Sequence, residues 1–117
     1  GWRVPTDEDW KKLEIYLGMT QSQSNKTGWR GSDQGKKLKS KSGWDGTDIA
    51  GFGALPGGFR SYDNGSFYTV GYNAYFWSSS EVLSHHAWGR RLYGDYEEVD
   101  RYYYSRTYGF SVRCVRD

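Results

Sequence analysis

The chain has 117 residues, one domain's worth, and its 16 basic against 14 acidic side chains leave a formal charge of +2, a balance that gives no argument for nucleic acid. Aromatic residues make up 19% of it and glycine fills 16 positions, so the core has to be built from Trp, Phe and Tyr between many tight turns. No run approaches the roughly 20 apolar residues of a membrane helix, and the lone Cys114 excludes both an internal disulfide and zinc-site spacing, so no metal or cofactor is expected.

"VPTDEDWKKLEIYLG" predicts a helix from Asp7 to Leu17: Thr6 can cap the amide of Asp9, three acids occupy the first turn, Trp10, Leu13 and Leu17 share a stripe, and Gly18 stops it. Residues 19–48 are polar and glycine-rich, with Trp29, Leu38 and Trp44 as isolated anchors and a short helix or turn at Ser32–Leu38. "KKLKSKSGW" at 36–44 reads as a solvated basic loop, with Lys36, Lys37 and Lys39 available to anionic polymers. "IAGFGALPGGFR" reads as an irregular loop pinned to the core by Ile49, Phe52, Leu55 and Phe59, and Asn64-Gly65 as a hairpin signal with flanking strands. Strands are expected at 74–81, 86–93 and 109–116, the last placing Phe110, Val112 and Cys114 on one face as core residues. "YYYSRTY" lacks the alternation of a strand that faces a core.

Catalytic chemistry finds little support. His85 and His86 are adjacent and would diverge on a strand, "SSSE" lacks the glycine frame of a nucleophile elbow, "GFGALPGG" lacks the Lys-Ser/Thr of a phosphate loop, and Glu97-Glu98 reads as a solvated turn. Residues 82–108, crowded with Tyr, Ser, His, Asp, Gly and Arg, instead carry the vocabulary of a combining site: rigid aromatic area with hydroxyl tips, and adaptable polar contacts.

Five blocks, "GWRVPTDEDWKKLE", "GFGALPGGFR", "YFWSSSE", "AWGRRL" and "GFSVRCVRD", together resemble the Fibrobacter succinogenes major paralogous domain over essentially the whole chain. The first and third are also similar to the formylglycine-generating-enzyme type of C-type lectin fold. The resemblance implies a C-type-lectin-like α+β fold used in secreted or lipid-anchored bacterial surface proteins, without oxidase activity, because the reactive cysteine pair is absent. It implies that an upstream segment of the same precursor completes the sheet, and that Cys114 would be the downstream partner of any disulfide in the longer protein. Relatives commonly carry asparagine-rich text before "GFSVRC"; here Tyr102, Tyr103, Tyr104, Ser105 and Tyr108 stand there. Asparagine codons begin with two adenines, and changing either yields much of the residue set at 82–108, a pattern that resembles retroelement-diversified variable proteins.

These readings give a single domain at 1–117 with an α+β, C-type-lectin-like fold: one clear N-terminal helix, short antiparallel strands and long irregular glycine-rich loops. The expected activity is non-enzymatic recognition of a protein or glycan. His85, His86, Tyr93, Asp95, Tyr96, Asp100, Tyr102, Tyr103, Tyr104, Ser105 and Tyr108 would form an exposed face, Asp95 and Asp100 selecting charge and Arg106 reaching acidic or aromatic groups. Trp10, Trp77, Trp88, Phe110, Val112 and Cys114 would form the scaffold. The competing readings are a structural or assembly domain of a bacterial surface protein and a degenerate formylglycine-generating-type enzyme. Partners exclude nucleic acid and membrane insertion by this domain, calcium-dependent sugar binding is disfavoured by the absence of a Glu-Pro-Asn or Gln-Pro-Asp triplet, and the expected location is extracellular or at the bacterial surface, or else in a phage virion.

Overall fold

A computed structural model describes residues 1–117 throughout. Its helices are α1 (Asp7–Tyr16), α2 (Gln21–Ser24), α3 (Gln34–Leu38) and α4 (Lys41–Trp44). Its strands are β1 (Trp2–Arg3), β2 (Gly28–Arg30), β3 (Phe59–Arg60), β4 (Phe67–Tyr68), β5 (Asn73–Val82), β6 (His86–Tyr93), β7 (Val99–Ser105) and β8 (Val115–Arg116). The main sheet is antiparallel in the order β2-β7-β6-β5, and two small antiparallel pairs, β1-β8 and β3-β4, flank it.

Helix α1 starts where the residues dictate. The Thr6 hydroxyl accepts the Asp9 amide at 3.1 Å and the Asp9 carboxylate accepts the Thr6 amide at 2.9 Å, a reciprocal capping box. The Asp7 amide donates to Ser80 Oγ at 2.8 Å and the Ser79 amide to the Pro5 carbonyl at 2.8 Å, so the serines of "WSSSE" stitch the helix start to β5. They can do so because β5 shifts register between Trp77 and Glu81, where Ser78 Oγ donates to the Trp88 carbonyl at 2.7 Å.

Pairing sets which side chains meet the helix. Arg90 lies opposite Phe76 and Arg101, and Val99 opposite Arg30, so by alternation these residues share the inner face with Ala74 and Leu92. That face meets Trp10, Leu17, Met19, Leu38 and Ala54 in the apolar core. Through this core runs a set of buried charges. Glu14 and Arg90 are both 0% exposed. Glu14 accepts from both terminal nitrogens of Arg30, one at 2.9 Å, and from Arg90 Nε at 2.7 Å. Asp7 accepts from Arg90 Nη1 at 2.7 Å and from Arg101 Nη2 at 2.8 Å, with Lys11 Nζ 3.6 Å away. The guanidinium of Arg101 also lies 3.8 Å from the Trp88 ring centroid.

Several expectations change. "YYYSRTY" begins inside β7, which is hydrogen-bonded on both sides as far as Arg101; its inner positions are Val99 and Arg101, so a charged residue stands where an aliphatic one would mark a core strand. Residues 109–116 are not one strand: Gly109 bridges Arg60, Ser111 bridges Phe76, and only Val115–Arg116 pair regularly. Cys114 is therefore exposed and Val112 is 49% exposed, so neither is a core residue. Ile49 and Leu55 are exposed too; Ala54 anchors that loop through reciprocal backbone bonds with Leu38 and Ser40, and Phe52 packs 5.6 Å from Trp10. The basic loop is largely committed: Lys39 is buried and donates to the carbonyls of Tyr93 and Tyr96, and Lys37 donates to the Leu17 carbonyl at 2.8 Å. Asn64-Gly65 does sit between paired strands, β3 and β4, but in a six-residue turn with positive φ at Gly65 alone.

Glu14→Gln leaves the buried Arg30 without a counter-charge and Arg90 with Asp7 alone, and is expected to cost about 3–5 kcal/mol in urea unfolding; a loss under 1 kcal/mol would mean that the cluster contributes little. For Asp7, burial alone would raise the carboxyl, but the Arg101 hydrogen bonds and the charge of Arg90 outweigh it and hold the group below its ordinary range. A carboxylate depressed in the folded state stabilises fully above its unfolded pKa of about 3.9 and loses that contribution as pH falls through the lower folded value. The urea midpoint is therefore expected to hold from pH 7 to about 5 and fall below about pH 4, and Asp7→Asn to be less stable at neutral pH with a flatter acid limb.

Candidate functional site

The same alternation that sends Arg90 inward sends Arg91 outward, with Trp29, Tyr75, Trp77, Asp100, Tyr102 and Tyr104 on its face. Gly89 in the middle of β6 leaves room for a ring to lie across the strand. A Cβ there would stand 3.3 Å from the Tyr104 ring and 2.9 Å from the Phe76 carbonyl. The Tyr104 ring accordingly packs 5.3 Å from Phe110, which stacks 4.3 Å from Trp77 and lies 5.2 Å from Tyr75. Phe59 from β3 closes on Tyr75 at 4.9 Å and on Tyr108 at 5.7 Å.

One charged pair is set among these rings. Arg91 Nε donates to Asp100 Oδ2 at 2.8 Å, Arg91 Nη1 donates to the Tyr93 hydroxyl at 2.8 Å, and the Tyr104 hydroxyl donates to Asp100 Oδ2 at 2.7 Å. Burial disfavours the Arg91 charge, but the Asp100 hydrogen bond and the electrostatic pull of Tyr104, Asp100 and Tyr93 together outweigh it and hold the guanidinium above its ordinary range. Burial and the Asp100 carboxylate push the Tyr104 phenol well up, so it stays protonated as a donor.

Beyond Arg101 the strand β7 runs at the edge of the sheet, because β2 ends opposite it at Gly28. There Tyr102 and Tyr103 stack at 4.7 Å and 14° although neighbours on a strand point apart, and Tyr103 meets His86 at 5.9 Å and Trp88 at 5.6 Å. An open groove of about 600 Å³ runs along them, lined by Tyr62, His86, Tyr102, Tyr103, Tyr104, Ser105, Thr107 and Tyr108.

Six of the residues expected from the sequence thus come together: His86, Tyr102, Tyr103, Tyr104, Ser105 and Tyr108. Others do not join them. His85 sits exposed in the turn before β6, where its carbonyl accepts the Arg106 amide at 2.9 Å. Tyr93 and Tyr96 pack on Trp29 at 4.8 and 4.5 Å, held by Lys39, whose ammonium burial lowers below its ordinary range against the charges of Glu97 and Asp95. Asp95 lies in a separate shallow depression with Trp44 and Tyr72. Asp100 is 1% exposed and tied to Arg91 and Tyr104, so it supports the face instead of selecting charge on it. Arg106 lies outside the groove, where it pairs at the surface with Glu81 at 2.9 Å and the Ser84 carbonyl at 2.7 Å. Among the expected scaffold residues, Trp10 is buried, Trp77 and Phe110 are half-buried partners of the outer face, and Trp88 is half-buried on the inner side against the Arg101 guanidinium.

The sequence reading missed Tyr62, Thr107, Trp29 and Arg91. Tyr62 comes from the β3-β4 turn and meets Tyr108 at 5.1 Å, a contact between distant segments that no local pattern encodes. Arg91 was detectable from "WGRRLY": with Trp88 and Leu92 facing in, a strand must turn one of two adjacent arginines out.

The fold and the face together define a small mixed α and β domain, its sheet held to a helix by buried ion pairs on one side and clad in tyrosine on the other. The family model of the Fibrobacter succinogenes major domain matches residues 1–116, and the chain belongs to that family. No curated protein and no solved structure matches it.

Tyr104→Phe removes a hydroxyl bond to a buried carboxylate and is expected to lower stability by about 1.5–3 kcal/mol. Thermal and urea unfolding of the variant measure it, and an unchanged midpoint would show that Asp100 is satisfied by Arg91 alone.

Proposed function

We propose that this chain is a non-enzymatic recognition module of C-type-lectin-like fold that offers its tyrosine-lined groove to a protein or glycan ligand at a bacterial surface, in an exported or lipid-anchored protein. The observation that carries the reading is the convergence of His86, Tyr102, Tyr103, Tyr104, Ser105 and Tyr108 on one open groove. Their rings give broad, rigid contact area at low entropic cost, and their hydroxyls give hydrogen bonds at its rim. The strongest charges nearby, Arg91 and Asp100, neutralise one another and serve as support, an arrangement suited to holding a surface still.

We extend the proposal to diversification of this surface by a retroelement. Positions 102, 103 and 108 present rings to the groove without holding a buried charge, whereas Asp100 and Tyr104 are bound to one another and to Arg91. Diversified copies of the gene are expected to vary at the first set and to keep Asp100, Arg91 and a hydroxyl at 104; free variation at position 100 would count against diversification acting through this scaffold.

An assembly role is favoured by a different observation. Trp2 is 70% exposed on β1, whose only partner strand is β8, so a further strand or an upstream segment of the precursor has an apolar edge to join. The two readings part experimentally. Glycan arrays and panels of secreted or surface proteins probed with the domain and with a Tyr102→Ala/Tyr103→Ala variant are expected to find ligands whose affinity falls at least about tenfold in the variant. Equal binding by the folded variant would remove the groove from the account, and self-association disrupted by Trp2→Ser would replace it with assembly.

A further inference from the structure

Behind Tyr104 and Tyr108 the groove adjoins a smaller recess of about 170 Å³, lined by Phe59, Tyr75, Arg91, Tyr104, Tyr108 and Phe110. Five of its walls are aromatic and the sixth is the Arg91 guanidinium. That cation is fixed: it lies 5.6 Å from the Trp29 ring, 5.2 Å from Tyr93 and 5.6 Å from Tyr104, with Nε and Nη1 bound to Asp100 and the Tyr93 hydroxyl. The remaining nitrogen, Nη2, makes no hydrogen bond within the chain, nor does the hydroxyl of Tyr108, which lines both the recess and the groove.

A guanidinium held in place with three of its five N–H donors unspent, two of them on Nη2, is a donor site for an oxygen, and a charged acceptor forms bonds roughly twice as strong as a neutral one. Asp100 offsets much of the Arg91 charge, so the preference rests on the donors of Nη2 that neither Asp100 nor Tyr93 occupies. The size of the recess sets a further limit. It falls below the roughly 300 Å³ of a pocket for a whole small ligand, so it suits one flat end group. A phosphate would bring more charged oxygens than the single free nitrogen and ring walls can satisfy, whereas a carboxylate is planar and brings two.

We infer that this recess is a carboxylate subsite, in which Arg91 Nη2 and the Tyr108 hydroxyl receive the acidic end of a ligand whose remainder lies along the tyrosine groove. The inference rests on the recognition reading for that remainder and stands on the recess alone for the acid.

The test uses two probes of equal shape, sodium benzoate and neutral benzamide, titrated into the unaltered ¹⁵N-labelled protein. Benzoate is expected to shift the Arg91 Nε–H signal and the amides of Tyr104, Tyr108 and Phe110 with saturation in about the millimolar range, and benzamide to act about tenfold more weakly or not at all. Equal responses to both would make the recess an apolar slot, and no response to benzoate would remove the subsite; either overturns the inference. Since Arg91→Gln alone strands the buried Asp100, the variant of choice is Arg91→Gln/Asp100→Asn, expected to keep a dispersed spectrum and lose the benzoate response. A folded double variant that still answers to benzoate overturns the inference as well, and if it does not fold, the benzoate and benzamide comparison decides. Failure here leaves the groove reading standing, because the Tyr102→Ala/Tyr103→Ala binding assay does not involve the recess.

Discussion

Two buried carboxylates determine how this domain is put together. Glu14 and Asp7 project from one side of α1 into the inner face of the sheet, and the guanidiniums that meet them come from three different strands: Arg30 from β2, Arg90 from β6 and Arg101 from β7. Each ion is tolerable away from water only while its partners are in place. Sliding the helix along the sheet would break several of these bonds together, whereas a purely apolar interface would lose little for a small shift. Three guanidiniums face two carboxylates, and the excess is spread over backbone carbonyls of Ser24, Asn25, Gly89 and Val99 and over the Trp88 ring. Polar chemistry thus replaces the aliphatic bulk that the sequence lacks.

The two faces of the sheet are linked through adjacent residues. Arg90 binds the helix carboxylates while Arg91 binds Asp100 on the opposite side, so fixing one fixes where the other points. The core geometry is transmitted by strand parity alone, without any further contact, to the position of the outward guanidinium and of the rings around it. Gly89 completes the arrangement by giving Tyr104 a flat place to lie. Tyr102, Tyr103 and Tyr108 therefore stand on a base that does not depend on their own identity, whereas the Tyr104 hydroxyl is part of it.

Local chemistry was legible wherever one short segment sufficed. The capping box at Thr6 and the strand at 86–93 both follow from neighbouring residues and period. What escaped was set by partners distant in sequence. Glu14 lies between Trp10 and Leu17 on the buried stripe, a signal in itself, but its acceptance in the core depends on arginines 16 and 76 residues away. Asp100 looked like an exposed selector because its burial is produced by Arg91 and Tyr104 on top of it. Cys114 and Val112 failed as core residues for a related reason: backbone bonding of Gly109 and Ser111 to Arg60, Tyr75 and Trp77 holds that segment at the rim of the sheet, where alternation no longer decides burial.

The pairing of β1 with β8 brings residues 1 and 117 together: the Asp117 amide donates to the Gly1 carbonyl at 3.0 Å, and Arg3 reaches the Asp117 carboxylate at 2.9 Å. Residues 1–3 and 115–117 therefore meet at one corner of the domain, and a short linker between them closes its loop at little entropic cost because they already touch.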